Sequence, residues 1–245
     1  MAGRTYKTEA VVLRSLRFAE ADRILHLYTL DRGRVGAIAK GVRKTTSRFG
    51  ARLEPLSHVE LLLHEGSGEL DTVTGASLLA SHRAVREDGY RLEVGLIGAE
   101  AMLRLFSEPE ANGRAFTALT RFLDALDAAA AAASRPALDP LALAFQLKLL
   151  WLSGYLPHLT GCVECGTGEL VGFSARAGGA VCRVHGQGSL ALSADGLAGI
   201  EALLSAPLAG AARAQLTDRA CREALAVVTS SYEEHGGFRL RTLSA

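Results

Sequence analysis

Cys162, Cys165, Cys182 and His185 form a C-x2-C-x16-C-x2-H array. A gap of two residues lets both members of a pair face one ion from a single tight turn. A 16-residue arm is long enough to fold back as a hairpin and set the second pair beside the first. Three sulfurs and one nitrogen in a tetrahedron is a coordination set of Zn2+. All four positions are filled by the protein and none is left for a catalytic water, so the expected role is one structural Zn2+ per chain. Gly161 and Gly166 bracket the first pair, and Gly186 and Gly188 follow the second. They supply positions where a positive φ costs little. His158 is a rival fourth ligand with a poorer spacing. Pairing the cysteines as disulfides would need a secretory context, which this sequence does not show.

A second kind of chemistry is carried by charge. Residues 1–52 hold 12 Lys and Arg against 4 Asp and Glu, while the remainder holds 15 against 22, so a net charge of +1 conceals a basic end and an acidic body. From Arg32 to Leu53 there are seven cations and no acid: Arg32, Arg34, Lys40, Arg43, Lys44, Arg48 and Arg52. Long cationic side chains on a glycine-interrupted backbone can follow a phosphate track, and Phe49 among them is placed to stack on a base. No base-reading motif accompanies the run, so weak sequence specificity is expected. No G-x-x-x-x-G-K-[ST] phosphate loop is present, which removes the main motif for ATP chemistry. The zinc deaminase motif P-C-x-x-C is not met, because Cys162 follows Gly161. Ser189 and Ser193 near His185 make no triad, since a metal-bound imidazole cannot act as a base.

The elements that must position these groups change character along the chain. Tyr6–Arg14, Arg23–Leu30, Arg34–Ala39, Leu56–His64 and Leu70–Leu79 are short runs rich in β-branched and aliphatic residues with partial alternation, so five strands are expected. Asp31-Arg32-Gly33 and Glu65-Gly66-Ser67-Gly68 are turn signals. Five strands with one long connection, 40–55, match an OB-fold barrel, with an SH3-like barrel as the alternative. From Ser81 the apolar period becomes helical, with Leu92, Leu96, Ala99 and Leu103, then Phe116, Leu119, Leu123 and Leu126 in a helix over Gly113 to Ala133. Asp139-Pro140 marks a helix start carrying Leu143, Leu147, Leu150 and Trp151. Ser193 is placed to cap a helix to Ser205, and Thr217 or Asp218 opens a last one closed by Gly236-Gly237. The expected class is a multidomain α+β protein. It comprises an OB-fold DNA-binding domain over 1–79, a helical domain from 80–157 and 190–245, and a zinc-binding module over 158–189. The apolar stretch Leu141 to Leu156 is too short for a bilayer and is broken by Gln146 and Lys148, so no membrane association is expected. The opening residues lack the apolar run of a secretion signal, and the cysteine usage fits a reducing cytoplasm.

The ordered motifs Glu9-Ala10-Val11-Val12-Leu13-Arg14, Glu20-Ala21-Asp22-Arg23-Ile24-Leu25, Thr29-Leu30-Asp31-Arg32-Gly33-Arg34, Ala39-Lys40-Gly41-Val42-Arg43-Lys44 and Gly154-Tyr155-Leu156-Pro157 resemble the bacterial RecO family of recombination mediators. Phe173-Ser174 and Gly178-Gly179 precede the second ligand pair in the same manner. His185 departs from relatives that carry a fourth cysteine there, and histidine still ligates zinc. The resemblance implies binding of single- and double-stranded DNA, annealing of complementary strands and no catalysis. It also implies assembly with RecR, contact with the C-terminal tail of the single-stranded-DNA-binding protein, loading of RecA, and a nucleoid-associated cytoplasmic location. The rivals are a zinc-containing OB-fold RNA-binding or translation factor, which affinity for matched DNA and RNA strands distinguishes, and a metal-dependent hydrolase, against which the full ligand set argues.

Overall fold

The computed structural model describes residues 3–45, 47, 49–130 and 135–243. Arg48 and the end of the alanine tract, 131–133, lie outside the described residues. The chain separates into two compact units, Met1–Asp127 and Ala128–Ala245. The boundary falls inside the 80–157 segment.

In the first unit, β1 (Thr5–Phe18), β2 (Asp22–Thr29), β3 (Gly33–Ala39), β4 (His58–His64) and β5 (Leu70–Ala80) close into a barrel of order β1-β2-β3-β5-β4, with β4 returning to β1. Only the β3–β5 pairing is parallel among them. This is the OB-type arrangement. Val12, Leu25, Leu27, Leu61 and Leu63 point inward and are at most 2% exposed. β1 runs four residues past its expected end at Arg14, and its register shifts between Val12 and Arg14. The extra residue, Leu13, keeps the alternation from sending Arg14 into the core. Arg14 instead pairs with outward-facing His26.

The connection from β3 to β4 corrects one expectation. Phe49 is 7% exposed and, with Leu53, belongs to the barrel core. It is not available to stack on a base. Small inward residues, Ala10, Ala37 and Ala39, leave volume that close packing requires to be filled, and Phe49 and Leu53 fill it.

Three helices complete this unit: α1 (Arg83–Glu87), α2 (Gly89–Leu105) and α3 (Gly113–Ala128). Asp88 caps α2 by accepting the Arg91 amide at 2.9 Å. α2 does not bury the leucine stripe that its spacing suggests. Val94, Ile97, Ala101 and Met102 are buried, whereas Leu96 is exposed and Leu92 and Leu103 are half-buried. Glycine sets this face. A Cβ at Gly95 would stand 2.6 Å from Leu56 Cδ1, so the helix packs closest where it has no side chain. α3 buries Phe116, Leu119, Leu123 and Leu126 as its period predicts. His82, 3% exposed, joins the pieces: Nδ1 lies 2.7 Å from the Leu56 carbonyl oxygen and Nε2 3.1 Å from Asp124 Oδ1 on α3.

In the second unit α4 (Pro140–Leu152) is buried on nearly all sides and forms the centre. Asp139 caps it, accepting the Leu141 and Ala142 amides at 2.8 and 3.2 Å, with Pro140 opening the helix. Around it lie α5 (Ala194–Ser205), α6 (Leu208–Ala211) and α7 (Asp218–Gly236). Ser193 and Thr217 cap α5 and α7 by accepting the Gly196 and Ala220 amides, and Gly237 ends α7 at φ 66°. Lys148 donates to the Leu204 carbonyl at 2.7 Å, so its ammonium is committed to the last turn of α5. A small sheet of order β7-β6-β8, from β6 (Leu170–Ser174), β7 (Gly179–Cys182) and β8 (Leu190–Ala191), carries the cysteine array.

Gly33 sits at φ 64°, and a Cβ there would stand 2.1 Å from the Glu110 carbonyl oxygen. Gly33→Ala is expected to destabilise the first unit by about 1–3 kcal/mol through left-handed strain and steric conflict together. The check is the urea midpoint, which should fall without a change of slope.

Candidate metal centre and nucleic-acid interface

The 16-residue arm between the cysteine pairs is the β6–β7 hairpin. Leu170 stands opposite Cys182, so the hairpin delivers the second pair back to its own base. The first pair is tied to the same strand: Val163 N–H donates to Ala180 O at 3.0 Å, and Ala180 N–H donates to His158 O at 2.8 Å. That approach needs glycine next door, because a Cβ on Gly179 would meet His158 O at 2.2 Å.

The four ligand atoms lie within 4.8 Å of one another. Cys165 and Cys182 Sγ are 3.8 Å apart, and His185 Nδ1 stands 3.4 Å from Cys182 Sγ and 3.6 Å from Cys162 Sγ. A tetrahedral ion with sulfur bonds of about 2.3 Å and a nitrogen bond of about 2.0 Å calls for edges of roughly 3.5–3.8 Å. The observed spacings therefore suit a metal ion. The first cysteine of each pair also accepts amides from the residues two and three positions on: Glu164 and Cys165 for Cys162, Val184 and His185 for Cys182. Burial works to raise the Cys162 thiol, but these amides, that of Cys182, and the His185 ring bring it down to about 6. Cys182 is lowered chiefly by the His185 amide, and His185 is raised by its contacts with Cys182 and Cys162. Such sulfurs are prepared to act as thiolates, the form that binds metal. His158 stands outside the cluster, 3.4 Å from Thr160 Oγ1.

The cationic run does not form one track. β3 separates Arg32 from Lys40 by about 20 Å of extended chain. Arg32 is occupied at one end, with Nη1 2.8 Å from Glu65 Oε1 and its guanidinium 3.6 Å above the Tyr6 ring. Arg34 is half-buried on β3, paired in register with Tyr28. Lys40, Arg43 and Lys44 gather at the other end, all exposed. Their loop is held to the β1–β2 turn. Arg43 N–H donates to Ala21 O at 2.9 Å, Arg43 Nη1 to Glu20 O at 3.0 Å, and Gly41 N–H to Asp22 Oδ1 at 2.7 Å. Arg52 lies exposed on a 3-10 turn, Gly50–Leu53, with Nη1 3.5 Å from Phe49 O.

The structure adds groups that the run did not include. Arg14, beyond the bulge, and His26 are register partners on the outer face of the barrel, and His26 faces Gly36 on β3. Burial, then Arg34 and Arg14, hold the His26 imidazole below its ordinary value.

An OB-type barrel followed by a helical region with a Cys3His cluster defines the class. The chain matches family models described as "Recombination protein O N terminal" over residues 1–82 and "Recombination protein O C terminal" over residues 86–244. It is similar to the DNA repair protein RecO of Rubrobacter xylanophilus, 45% identical over 181 residues covering 73% of this chain and 70% of the relative. The Nocardioides protein of that name is 41% identical over 214 residues, 84% and 83% of the two chains. The Anaeromyxobacter sp. (strain K) protein is 36% identical over 241 residues, 96% and 92%. The chain belongs to the RecO family. No helix among the described residues is long and apolar enough to cross a membrane.

A depressed His26 means that the unfolded chain takes up a proton before the folded one does. Its contribution to stability is full above the unperturbed value of 6.5 and is lost as pH falls through and below it. Denaturant midpoints measured from pH 7.5 to 5 are expected to fall less steeply for His26→Gln than for the wild-type chain.

Proposed function

We propose that this chain is a non-enzymatic DNA-binding mediator of recombinational repair. It binds single- and double-stranded DNA, anneals complementary strands and, with RecR, helps load RecA onto DNA coated by single-stranded-DNA-binding protein, whose C-terminal tail it contacts. The observation that carries the DNA-binding part is the exposed group Lys40, Arg43 and Lys44, fixed by backbone bonds to the β1–β2 turn of an OB-type barrel. A rigid cluster of cations neutralises phosphates without first ordering a loop, and it lowers the repulsion between two strands held side by side. Annealing needs no catalytic group. Arg34 on β3 and Arg52 on the 3-10 turn are further candidate contacts in this reading, as is Arg48, which lies outside the described residues, and Arg32 contributes least because Glu65 and Tyr6 already engage it. RecR, RecA and the tail of the single-stranded-DNA-binding protein enter this reading from the resemblance of the sequence motifs to the RecO family.

If about 4–7 cations reach phosphates, log affinity for single strands falls against log salt with a slope of about −3 to −5. Replacing Lys40, Arg43 and Lys44 by alanine is expected to make that slope shallower by about 2 and to weaken all sequences alike. A folded triple variant with wild-type affinity and slope would refute the assignment of DNA binding to this loop.

The Cys3His cluster holds one structural zinc ion in this reading, supported by its ligand spacings and its amide-to-sulfur bonds. The ion would cross-link the two cysteine pairs and stabilise the β6–β7 hairpin. Cys182→Ser is expected to abolish stoichiometric zinc, measured by elemental analysis, and to raise amide exchange across 158–188. Exchange within the barrel should be unchanged.

A further inference from the structure

The outer face of β1, β2 and β3 is covered along one half and bare along the other. In the covered half Val11 pairs with Tyr28, both fully buried, and Phe106 at the end of α2 packs edge-on against the Tyr28 ring at 5.9 Å. Past the bulge, the same face carries Arg14, Leu16 and Phe18 on β1. Their register partners on β2 are His26, Ile24 and Asp22, and Ile24 is in turn paired with Ile38 on β3. Here Leu16 is 37% and Phe18 47% exposed, and Ile24 and Ile38 are half-buried. Leu16, Ile24 and Ile38 thus make an apolar row across three strands, with Phe18 beside it.

Cations border this floor on two sides. Arg14 on β1 lies at one end, with Arg34 across β2 on β3, and the loop of Lys40, Arg43 and Lys44 lies at the other. Asp22, the acidic register partner of Phe18, has its carboxylate engaged by the Gly41 amide, and Glu20 at the β1–β2 turn offers its carbonyl to Arg43. From Arg14 to Phe18 the surface extends for roughly 13 Å, the length of a few stacked bases.

We infer that this bare half-face is a stacking platform for the unpaired bases of single-stranded DNA, with Phe18 as the stacking side chain and the flanking cations holding the phosphates. This inference rests on the DNA-binding reading above and adds a division of labour within it. A duplex keeps its bases in the helix and engages the cationic loop alone, whereas a single strand engages both the loop and the platform.

The test uses the full chain, a short oligothymidine, the matched duplex, and an oligonucleotide carrying 2-aminopurine. Phe18→Ala is expected to lower single-strand affinity about 5- to 100-fold, the range for losing a base–aromatic stack. It should relieve 2-aminopurine quenching while leaving duplex affinity and the salt slope unchanged. Phe18→Tyr should restore both single-strand signals and Phe18→Leu should not. A folded Phe18→Ala protein with wild-type single-strand affinity overturns the platform, as does equal loss on both DNA forms. If that variant does not fold, photo-cross-linking of 5-iodouridine DNA to the wild-type chain decides: adducts on the peptide containing Phe18 support the platform, and adducts confined to the 40–44 loop overturn it. Loss of binding in the Lys40, Arg43, Lys44 variant with none in Phe18→Ala removes the platform and leaves the DNA-binding reading intact. A wild-type chain that binds neither DNA form removes both.

Discussion

The parallel pairing of β3 with β5 is the constraint from which the rest of the first unit follows. To place β5 beside β3, the chain must leave β3, build β4 against β1, and return. The segment that makes this crossing, 40–57, has no ladder of its own among the described residues. It is anchored instead at three points. Gly41 and Arg43 bond to the β1–β2 turn, Phe49 and Leu53 enter the core, and Leu56 takes a left-handed backbone at φ 67° with its carbonyl held by His82. A left-handed leucine costs about 1–2 kcal/mol. It persists here because Leu56 is fully buried, bonds through its amide to the Val12 carbonyl, and packs where α2 has a glycine. One topological requirement thus arranges the cationic loop, the plugged barrel and the seat of α2.

The second unit is organised on a different principle. Its sheet is only three short strands, of five, four and two residues. Main-chain bonds from Val163 and Ala180 join the first cysteine pair to β7, and Cys182 ends that strand. The ligand pairs are therefore set in register by the backbone. The helical part needs no such device, because α4 is apolar on nearly every side and α5, α6 and α7 surround it.

How much could be read beforehand depended on the range of the interactions. That Cys162, Cys165, Cys182 and His185 gather in one cluster is legible because two-residue gaps set both members of a pair on one turn. The caps Asp139, Ser193 and Thr217 were legible because a cap acts on amides two or three residues away. The five strands and their order as an OB-type barrel followed from alternation and one long connection. Phe49 was misjudged because its fate depends on alanines from β1 and β3 that leave space for it, a long-range fact. The face of α2 was misjudged because leucine spacing carries no information about where glycines allow close approach. The cationic run appeared continuous because seven β3 residues look short in sequence but span the barrel wall. Arg14 and Phe18 were hidden by a single bulge residue, which reverses the side to which every later β1 residue points.

The loop of Lys40, Arg43 and Lys44 is pinned by the Gly41 amide on the Asp22 carboxylate and by Arg43 on the Ala21 and Glu20 carbonyls, so like charges are kept close by a scaffold indifferent to their repulsion. In the language of energy landscapes this is local frustration: the fold tolerates a conflict that it could relieve only by letting the loop go. Mobile counterions ease such a conflict within a Debye length of about 8–10 Å. The ionic atmosphere therefore has opposite effects on the two properties of this end of the barrel. Added salt steadies the folded loop while stripping it of its attraction for a polyanion.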